Sequence, residues 1–171
     1  DAPDHVMGST TQDGTTTAGA VKVGKGGDYT NLDAVVMDAV NELIDVVYQD
    51  DDDLVVICGR ELLSDKYFPL INKEQDNSEK IAADLIISQK RMGGLQAVRA
   101  PFFPANALLI TRLDNLSIYW QEETRRRSVI DNPKRDRIEN FESVNEAYVV
   151  EDYRCAALVE NIEIGDFTPP A

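Results

Sequence analysis

Histidine and cysteine are scarce in this sequence, which has only His5, Cys58 and Cys155 among 171 residues. A Ser-His-Asp or Cys-His catalytic device needs a histidine held in fixed geometry. His5 lies in a Gly-, Thr- and Asp-rich stretch, where we expect a mobile surface side chain. Zinc sites need clustered cysteine and histidine, which two isolated cysteines do not supply. The sequence therefore gives no support to a hydrolase, a transferase or a zinc protein.

Long apolar runs are also missing, since no stretch approaches the ~20 apolar residues of a membrane span, and no signal peptide opens the chain. Each cysteine lies in a short apolar run, residues 54–58 and 155–159. We expect both cysteines to be buried, unpaired thiols, with a structural disulfide as the alternative. These features predict no membrane partner and a reducing, cytoplasmic compartment.

Basic residues are few, because 17 Lys and Arg against 31 Asp and Glu give a net charge of −14. This balance argues against a nucleic-acid-binding module and against docking on anionic lipid. Three adjacent arginines at residues 125–127 are the exception, but Glu122, Glu123 and Asp131 flank them. No interleaved aromatic residues offer a platform for stacked bases. The pattern favours a charge-complementary protein contact over a nucleic-acid contact.

Two short motifs resemble ligand sites and fail on inspection. Residues 24–27, Gly-Lys-Gly-Gly, contain glycines like a phosphate loop, but neither G-x-x-x-x-G-K-[ST] nor G-x-G-x-x-G is present. They predict a turn. Four aspartates at 50–53 could hold a hard cation such as calcium, but they lack the alternating spacing and distal glutamate of an EF-hand loop. They predict a solvated turn, so we expect no cofactor and no specific metal ion.

Apolar periodicity predicts three helices. Residues 31–48 have one apolar face that includes Val47, and Thr30 with Asp33 resembles a capping box. A second helix spans 60–68 and stops at Pro69, which lacks the N–H needed to continue. A third spans about 79–92 and is closed by Gly93-Gly94.

Strands dominate the second half of the chain. Residues 54–58 form an unbroken apolar run typical of a strand buried on both faces. Residues 97–99, 107–112 and 116–120 are further strands, and the corner at 113–115 suggests a hairpin between the last two. After a polar stretch at 121–142 come two apolar stretches, 147–150 and 155–164. The predicted class is α+β, with one mixed sheet flanked by helices.

The polar stretch 121–142 is densely charged but neutral, since it has six cations and six acids. Such mixed-sign surfaces give register and specificity to protein contacts. The candidate contact residues are Arg125, Arg126, Arg127, Lys134, Arg135 and Arg137.

Five long stretches resemble a known family, in order, over nearly all of residues 21–170. They are VGKGGDYTNLDAVVMDAV, DLVVICGRELLSDKYFPLINKEQDNSEKIAADLIISQKR, ALLITRLDNLSIYWQE, RRRSVIDNPKRDRIENFESVNEAYVVEDY and IGDFTPP. From Val23 onward the sequence resembles the major capsid proteins of P-two-like (peduovirus) tailed bacteriophages.

The resemblance implies the Johnson fold of tailed-phage capsids, with an axial domain and part of a peripheral domain. The axial domain body would lie at 29–120, and it follows residues 1–28, whose Gly-, Thr- and Asp-rich composition predicts a flexible N-terminal arm with a short strand at 20–23. Peripheral-domain strands follow at 121–146, and the return strand of the axial domain with the C-terminal tail at 147–171. Family members are longer on the N-terminal side, so this chain resembles the C-terminal part of a subunit.

The resemblance also implies a function. It is that of a structural subunit of an icosahedral phage or prophage capsid, not of an enzyme. Its partners would be copies of itself, in pentamers and hexamers that enclose DNA, and a scaffold protein during assembly. Its location would be the virion capsid, after assembly in the cytoplasm of the bacterial host. Without the resemblance, a non-catalytic protein-binding adaptor domain is the alternative.

Overall fold

The computed structural model describes residues 5–8, 19–72, 87 and 89–167, without the side chains of 69–71. The chain divides into unit 1, Asp1–Leu113 with Asp152–Ala171, and unit 2, Asp114–Glu151. Within the described ranges, the helices are α1 (Leu32–Leu43), α2 (Val46–Gln49) and α3 (Arg60–Ile71). The strands are β1 (Val6–Met7), β2 (Val21–Val23), β3 (Leu54–Cys58), β4 (Arg91–Met92), β5 (Leu95–Arg99), β6 (Leu108–Arg112), β7 (Leu116–Trp120), β8 (Arg126–Asn132), β9 (Arg137–Ser143), β10 (Glu146–Val150), β11 (Ala156–Val159) and β12 (Ile162–Ile164).

Unit 1 is built on a six-stranded mixed sheet in the order β1-β11-β6-β3-β5-β4. The predicted α+β class with a mixed sheet and flanking helices is confirmed, although three further two-stranded sheets are present among the described residues. The central strand β3 pairs parallel with β5 and antiparallel with β6. All five residues of β3 are buried, as an apolar run covered on both faces should be.

The turn before β3 is held by an ion pair rather than left to solvent alone. The Asp51 carboxylate lies 3.0 Å from the Arg112 guanidinium at the end of β6. The same carboxylate accepts the backbone N–H of Asp53. Asp50, Asp52 and Asp53 are exposed, so the predicted turn is present.

The first helix is shorter than predicted. Asn31, not Thr30, is the N-cap, and its side chain accepts the N–H of Ala34 at 2.8 Å. The helix ends at Leu43 because Ile44 is extended and buried. The side chain of Asp45 then accepts the N–H of Val47 and starts α2.

This break changes which side chains reach the core. Leu32, Val35, Val36 and Ala39 of α1 are buried. Val47 was predicted to lie on the same apolar face, but its side chain is 79% exposed, because the chain turns before it.

The other two helix predictions need correction. α3 does not stop at Pro69 but continues to Ile71, and the N–H of Asn72 bonds the carbonyl of Phe68 at 2.9 Å. Most of the predicted third helix, residues 79–86 and 88, lies outside the described residues. Ile87 and Gln89 are helical, whereas Arg91–Met92 form a strand that turns back on β5. The turn uses Gly93 and Gly94, both at positive φ.

The described parts of the predicted N-terminal arm are integrated into unit 1. The predicted short strand is present as β2, which pairs parallel with β12 and buries Val21 and Val23. β1 pairs parallel with β11. His5 is half-buried, and its Nδ1 donates to the carbonyl of Leu43 at 2.6 Å, so the predicted free surface histidine is wrong. Local composition misses these contacts because the partners lie far along the chain.

The predicted hairpin around residues 113–115 is also wrong. Leu113–Asn115 form a 3-10 turn. β6 pairs with β11 and β3, whereas β7 pairs with β10 in another sheet. The two strands are neighbours in sequence but belong to different units. The chain therefore passes from unit 1 to unit 2 at this corner.

Both cysteines are free and buried, as predicted. Burial raises the pKa of the Cys58 thiol and of the Cys155 thiol. Within the described ranges, no helix has the length and apolar character needed to cross a membrane. Nor do three or more His, Cys, Asp or Glu side chains converge as a metal site would require, among those same residues.

Candidate functional site

Unit 2, which holds all six candidate contact residues, consists of two short antiparallel sheets. β7 pairs with β10, with Leu116 opposite Val150 and Trp120 opposite Glu146. β8 pairs with β9, with Arg126 opposite Ser143 and Asn132 opposite Arg137. The predicted domain boundaries assigned residues 116–120 and 147–150 elsewhere, but the pairing of β7 with β10 places both strands in unit 2. The assignment of these units to axial and peripheral domains stays a prediction.

The β7–β10 sheet has one strongly apolar face. Residues opposite each other, and residues two apart on one strand, lie on the same side of a sheet. This places Leu116, Ile118, Trp120, Tyr148 and Val150 on one face, together with the carboxylate of Glu146 at its edge. Apart from half-buried Val150, all of them are exposed in the isolated chain.

The β8–β9 sheet is a hairpin with apolar side chains on both faces. We call one side the Phe141 face, which also contains Arg126, Ser128, Ile130, Asn132, Arg137, Glu139 and Ser143. We call the other side the Ile138 face, which also contains Arg127, Val129, Asp131, Asn140 and Glu142. The apolar members are Ile130 (49% exposed), Phe141 (55%), Val129 (58%) and Ile138 (73%).

Unit 2 has no apolar core of its own. All of its residues are described, and Asn115 is the one buried among them. More than half of the exposed large apolar side chains in the described chain lie in these 38 residues. A two-stranded hairpin alone is marginally stable in water at best. Contiguous exposed apolar surface of this kind marks an interaction site.

The six cations are all exposed. Arg125 and Arg127 approach the Glu142 carboxylate at 3.5 and 3.4 Å, and Arg127 also donates to the side-chain oxygen of Asn140. Arg137 pairs with Glu139 at 2.6 Å. Pairs as exposed as these add about 0–1 kcal/mol each to stability. Their effect is to orient the guanidinium groups along the hairpin.

The remaining three cations, Arg126, Lys134 and Arg135, form no ion pair within 4.0 Å among the described residues. Arg126 lies at the start of β8, and the other two lie in the turn between β8 and β9. The net charge of residues 126–143 is nevertheless only +1, because the five cations of the hairpin are accompanied by four acids, Asp131, Asp136, Glu139 and Glu142.

Hydrogen bonds between tyrosines and carboxylates support the β7–β10 sheet. The Tyr119 hydroxyl donates to Glu151 at 2.6 Å, and the Tyr148 hydroxyl donates to Glu146 at 2.8 Å. Each bond raises the pKa of its tyrosine. The bonds from Tyr119 and Ser117 lower the pKa of Glu151.

A cleft of about 520 Å³ lies in unit 2 where the two sheets meet. It is lined by Trp120, Gln121, Glu122, Glu123, Arg125, Glu142, Ser143 and Val144. Ser143 is the hydroxyl in this set, and no histidine or lysine accompanies it as a base. The cleft thus offers an indole ring and charged groups for recognition rather than a nucleophile–base pair.

Sequence reasoning found the cations of this surface and missed its apolar side chains. The strand over 116–120 was predicted, but the shared face of Leu116, Ile118 and Trp120, which are spaced two apart, was not recognised as an exposed apolar surface. Such a face resembles the buried side of a sheet. The sequence alone does not show whether the residues that pack on it belong to the same chain or to another one.

Comparison with known proteins gives matches to phage capsid proteins. Residues 1–162 match a family model described as "Phage major capsid protein, P2 family". The capsid proteins of Escherichia phage P2 are 61% identical over 172 residues, which covers 100% of this chain and 48% of that protein. The major capsid protein of Serratia phage KSP20 is 40% identical over 139 residues, which covers 80% of this chain and 40% of that protein.

A solved structure of the satellite phage P4 procapsid, which includes the size determination (Sid) protein, contains a similar chain. The TM-score is 0.85 at 57% identity, and the match covers 98% of this chain and 50% of that one. This likeness confirms the capsid fold predicted from the sequence. The chain spans about half the length, or less, of the relatives it matches. Together these matches show that the chain belongs to the P2 family of phage major capsid proteins.

Proposed function

We propose that the chain functions as a structural subunit of an icosahedral phage or prophage capsid. In this function it assembles with copies of itself into pentamers and hexamers that enclose DNA. It performs no catalysis, because binding between copies requires complementary surfaces and not a nucleophile–base pair.

The observation that carries the proposal is the uncovered surface of unit 2. Full burial of one large apolar side chain contributes about 1.5–3 kcal/mol, and unit 2 leaves side chains such as Trp120, Phe141 and Ile138 largely in water. A shell subunit recovers this energy when neighbouring copies cover the surface. The family membership supports the same partner, another copy of this chain.

Accessory partners follow from the family as well. The P4 procapsid structure includes a size determination protein, which supports an assembly partner of this kind, or a scaffold protein, for the present chain. We place assembly in the cytoplasm of the bacterial host and the finished product in the virion. The net charge of −14 fits a container that holds DNA without gripping it through the whole shell.

Sedimentation over a wide concentration range tests the proposal. It should be run on this chain and on a version extended to the length of its relatives. We expect pentamers, hexamers or shells from the extended chain. Monomers in both samples at high concentration, with an assembly partner present, would refute self-assembly and favour a protein-binding adaptor.

A charge reversal refines this test. Arg126→Glu should leave folding of the chain unchanged, because the side chain is exposed and has no ion pair in the described structure. It should lower the yield of assembled particles of the extended chain, since the new carboxylate then meets copies of a chain whose net charge is −14. The melting temperature provides the control, and a marked fall would show that Arg126 is packed within the chain.

A further inference from the structure

One end of the unit 1 sheet brings together three segments that are far apart in sequence. Leu54 at the start of β3 pairs with Arg112 at the end of β6. Ala156 at the start of β11 pairs with Thr111, the neighbour of Arg112 on β6. The aspartate turn before β3, Leu113 after β6 and the 3-10 turn before β11 therefore lie at the same end of the sheet.

Hydrogen bonds fix α2 to this end of the sheet. The N–H of Asp45, the residue before α2, donates to the carbonyl of Arg154 at 3.0 Å. The hydroxyl of Tyr48, within α2, donates to the Asp152 carboxylate at 3.0 Å. The side chains that α2 presents are therefore held in place before a partner arrives, which lowers the entropy lost on binding.

Four apolar side chains are exposed on these segments. Val46 and Val47 of α2 are 78% and 79% exposed, Leu113 is 56% exposed and Tyr153 is 53% exposed. Apolar side chains that gather in exposed positions mark interaction sites.

The same region is strongly acidic. Residues 42–53, 112–113 and 152–154 contain seven acids and two cations, a net charge of −5. Both cations are already paired at 3.0 Å, one with Asp51 and the other with Asp152. The remaining acids form no ion pair within 4.0 Å among the described residues: Glu42, Asp45, Asp50, Asp52 and Asp53. We call these five acids, together with Val46, Val47, Leu113 and Tyr153, the α2 surface.

From the exposed apolar side chains and the acids beside them we infer that the α2 surface binds a basic amphipathic segment of a different protein. Apolar side chains of that segment would cover the two valines, and its lysine or arginine side chains would meet the carboxylates. This inference rests on the proposed function and deepens it, because it names the surface and the chemistry by which an assembly partner is recruited.

Other occupants fit the charge of the α2 surface less well. A second copy of the chain brings a net charge of −14 to an acidic surface. Nucleic acid and anionic lipid are negative as well. A metal ion would need converging ligands, and no three His, Cys, Asp or Glu side chains converge in the part of the chain that the structure describes.

Fluorescence anisotropy with a synthetic probe tests the inference on the chain itself. The probe is a labelled lysine–leucine peptide of about four helical turns with its leucines on one face. The control probe has the same composition, with its leucines spread around the helix. We expect the chain to bind the amphipathic probe at least about tenfold more tightly, because only this probe can cover the valines with an apolar face.

An apolar double substitution locates the binding site. Val46→Ser with Val47→Ser should weaken binding of the amphipathic probe at least about tenfold, since the apolar contact is lost. Phe68→Ser with Phe102→Ser is the matched control, because both side chains are exposed in unit 1 and lie outside the α2 surface. The control pair should leave the affinity unchanged.

A charge-removing pair gives a second, independent measurement. Asp52→Asn with Asp53→Asn should weaken binding about three- to tenfold at low ionic strength, and less at high ionic strength, where salt screens the carboxylates. Glu163→Gln with Asp166→Asn removes the same charge from exposed positions elsewhere in unit 1 and should have no comparable effect. If the valine variant has a lowered melting temperature, the aspartate pair decides the question.

Equal binding of the two probes, or equal weakening by a substituted pair and its control, would show general attraction to an acidic protein and overturn the inference. Sedimentation without any probe separates the remaining occupant. Weaker self-association of the valine variant would assign the α2 surface to a second copy, which also overturns the inference. Failure of the unsubstituted, extended chain to assemble would instead refute the proposed function, whatever the probe binds.

Discussion

Leu108→Ala and Phe141→Ala should have very different effects on stability, although phenylalanine is the larger residue. Leu108 is 0% exposed and pairs with Cys58 on one side and with Val159 on the other. Leucine-to-alanine changes in a packed core cost about 2–5 kcal/mol. Full burial of such a side chain stabilises a fold by roughly 1.5–3 kcal/mol. Because Phe141 is 55% exposed, its removal should cost less than half of that stabilisation. We expect the free energy of unfolding to fall by about 3 kcal/mol for Leu108→Ala and by about 1 kcal/mol or less for Phe141→Ala.

Urea unfolding measures both changes. Far-UV circular dichroism follows the whole chain, and fluorescence of Trp120, the single tryptophan, follows unit 2. For a chain of this size, about 3 kcal/mol corresponds to a fall of about 6–12 °C in melting temperature. An equal loss of stability from Phe141→Ala would mean that the hairpin packs on a core within its own chain. The inter-subunit reasoning would then be wrong.

Two further substitutions test unit 1. Hydrogen bonds from Arg154 lower the pKa of Asp152 to about 2. The Asp152 carboxylate therefore stabilises the fold fully above its unfolded pKa of about 3.9, and this stabilisation is lost as pH falls through about 2. The difference in urea midpoint between the native chain and Asp152→Asn should shrink between about pH 4 and pH 2; an unchanged difference would contradict this. Gly93→Ala should cost more stability than Gly94→Ala, since both glycines have positive φ but only a Cβ at Gly93 would meet Val36, at 2.6 Å. Equal thermal shifts for the two alanine variants would show that Val36 moves aside freely.

Local sequence patterns predicted the elements whose limits are set locally. β3 was found because an aspartate turn precedes its apolar run and Gly59 follows it. A Cβ at Gly59 would lie 3.1 Å from the carbonyl oxygen of Pro104, so the close approach of this loop favours glycine. β7 was predicted with its observed limits, because Leu116–Trp120 alternates between apolar and polar or amphipathic residues.

Features that depend on distant partners could not be predicted. The apolar period of α1 continues through Val47, and only the burial of Ile44 in an extended conformation ends the helix earlier. The contact of His5 with Leu43 joins residues 38 positions apart. The candidate cations are exposed, but the pairing of Arg125 and Arg127 with Glu142 could not be predicted because it depends on the register of β8 with β9. Their assignment as inter-subunit contacts remains a prediction.

The order of strands in the unit 1 sheet has a consequence for synthesis. β11 lies between β1 and β6, and it follows the whole of unit 2 in the sequence. A nascent chain therefore cannot complete this sheet until residues 156–159 have left the ribosome, and closing such distant pairs is slow. The β7–β10 sheet, by contrast, is complete once residue 150 has been made, before the sheet of unit 1 can close. During synthesis, unit 2 therefore exposes its large apolar side chains before unit 1 has its full sheet.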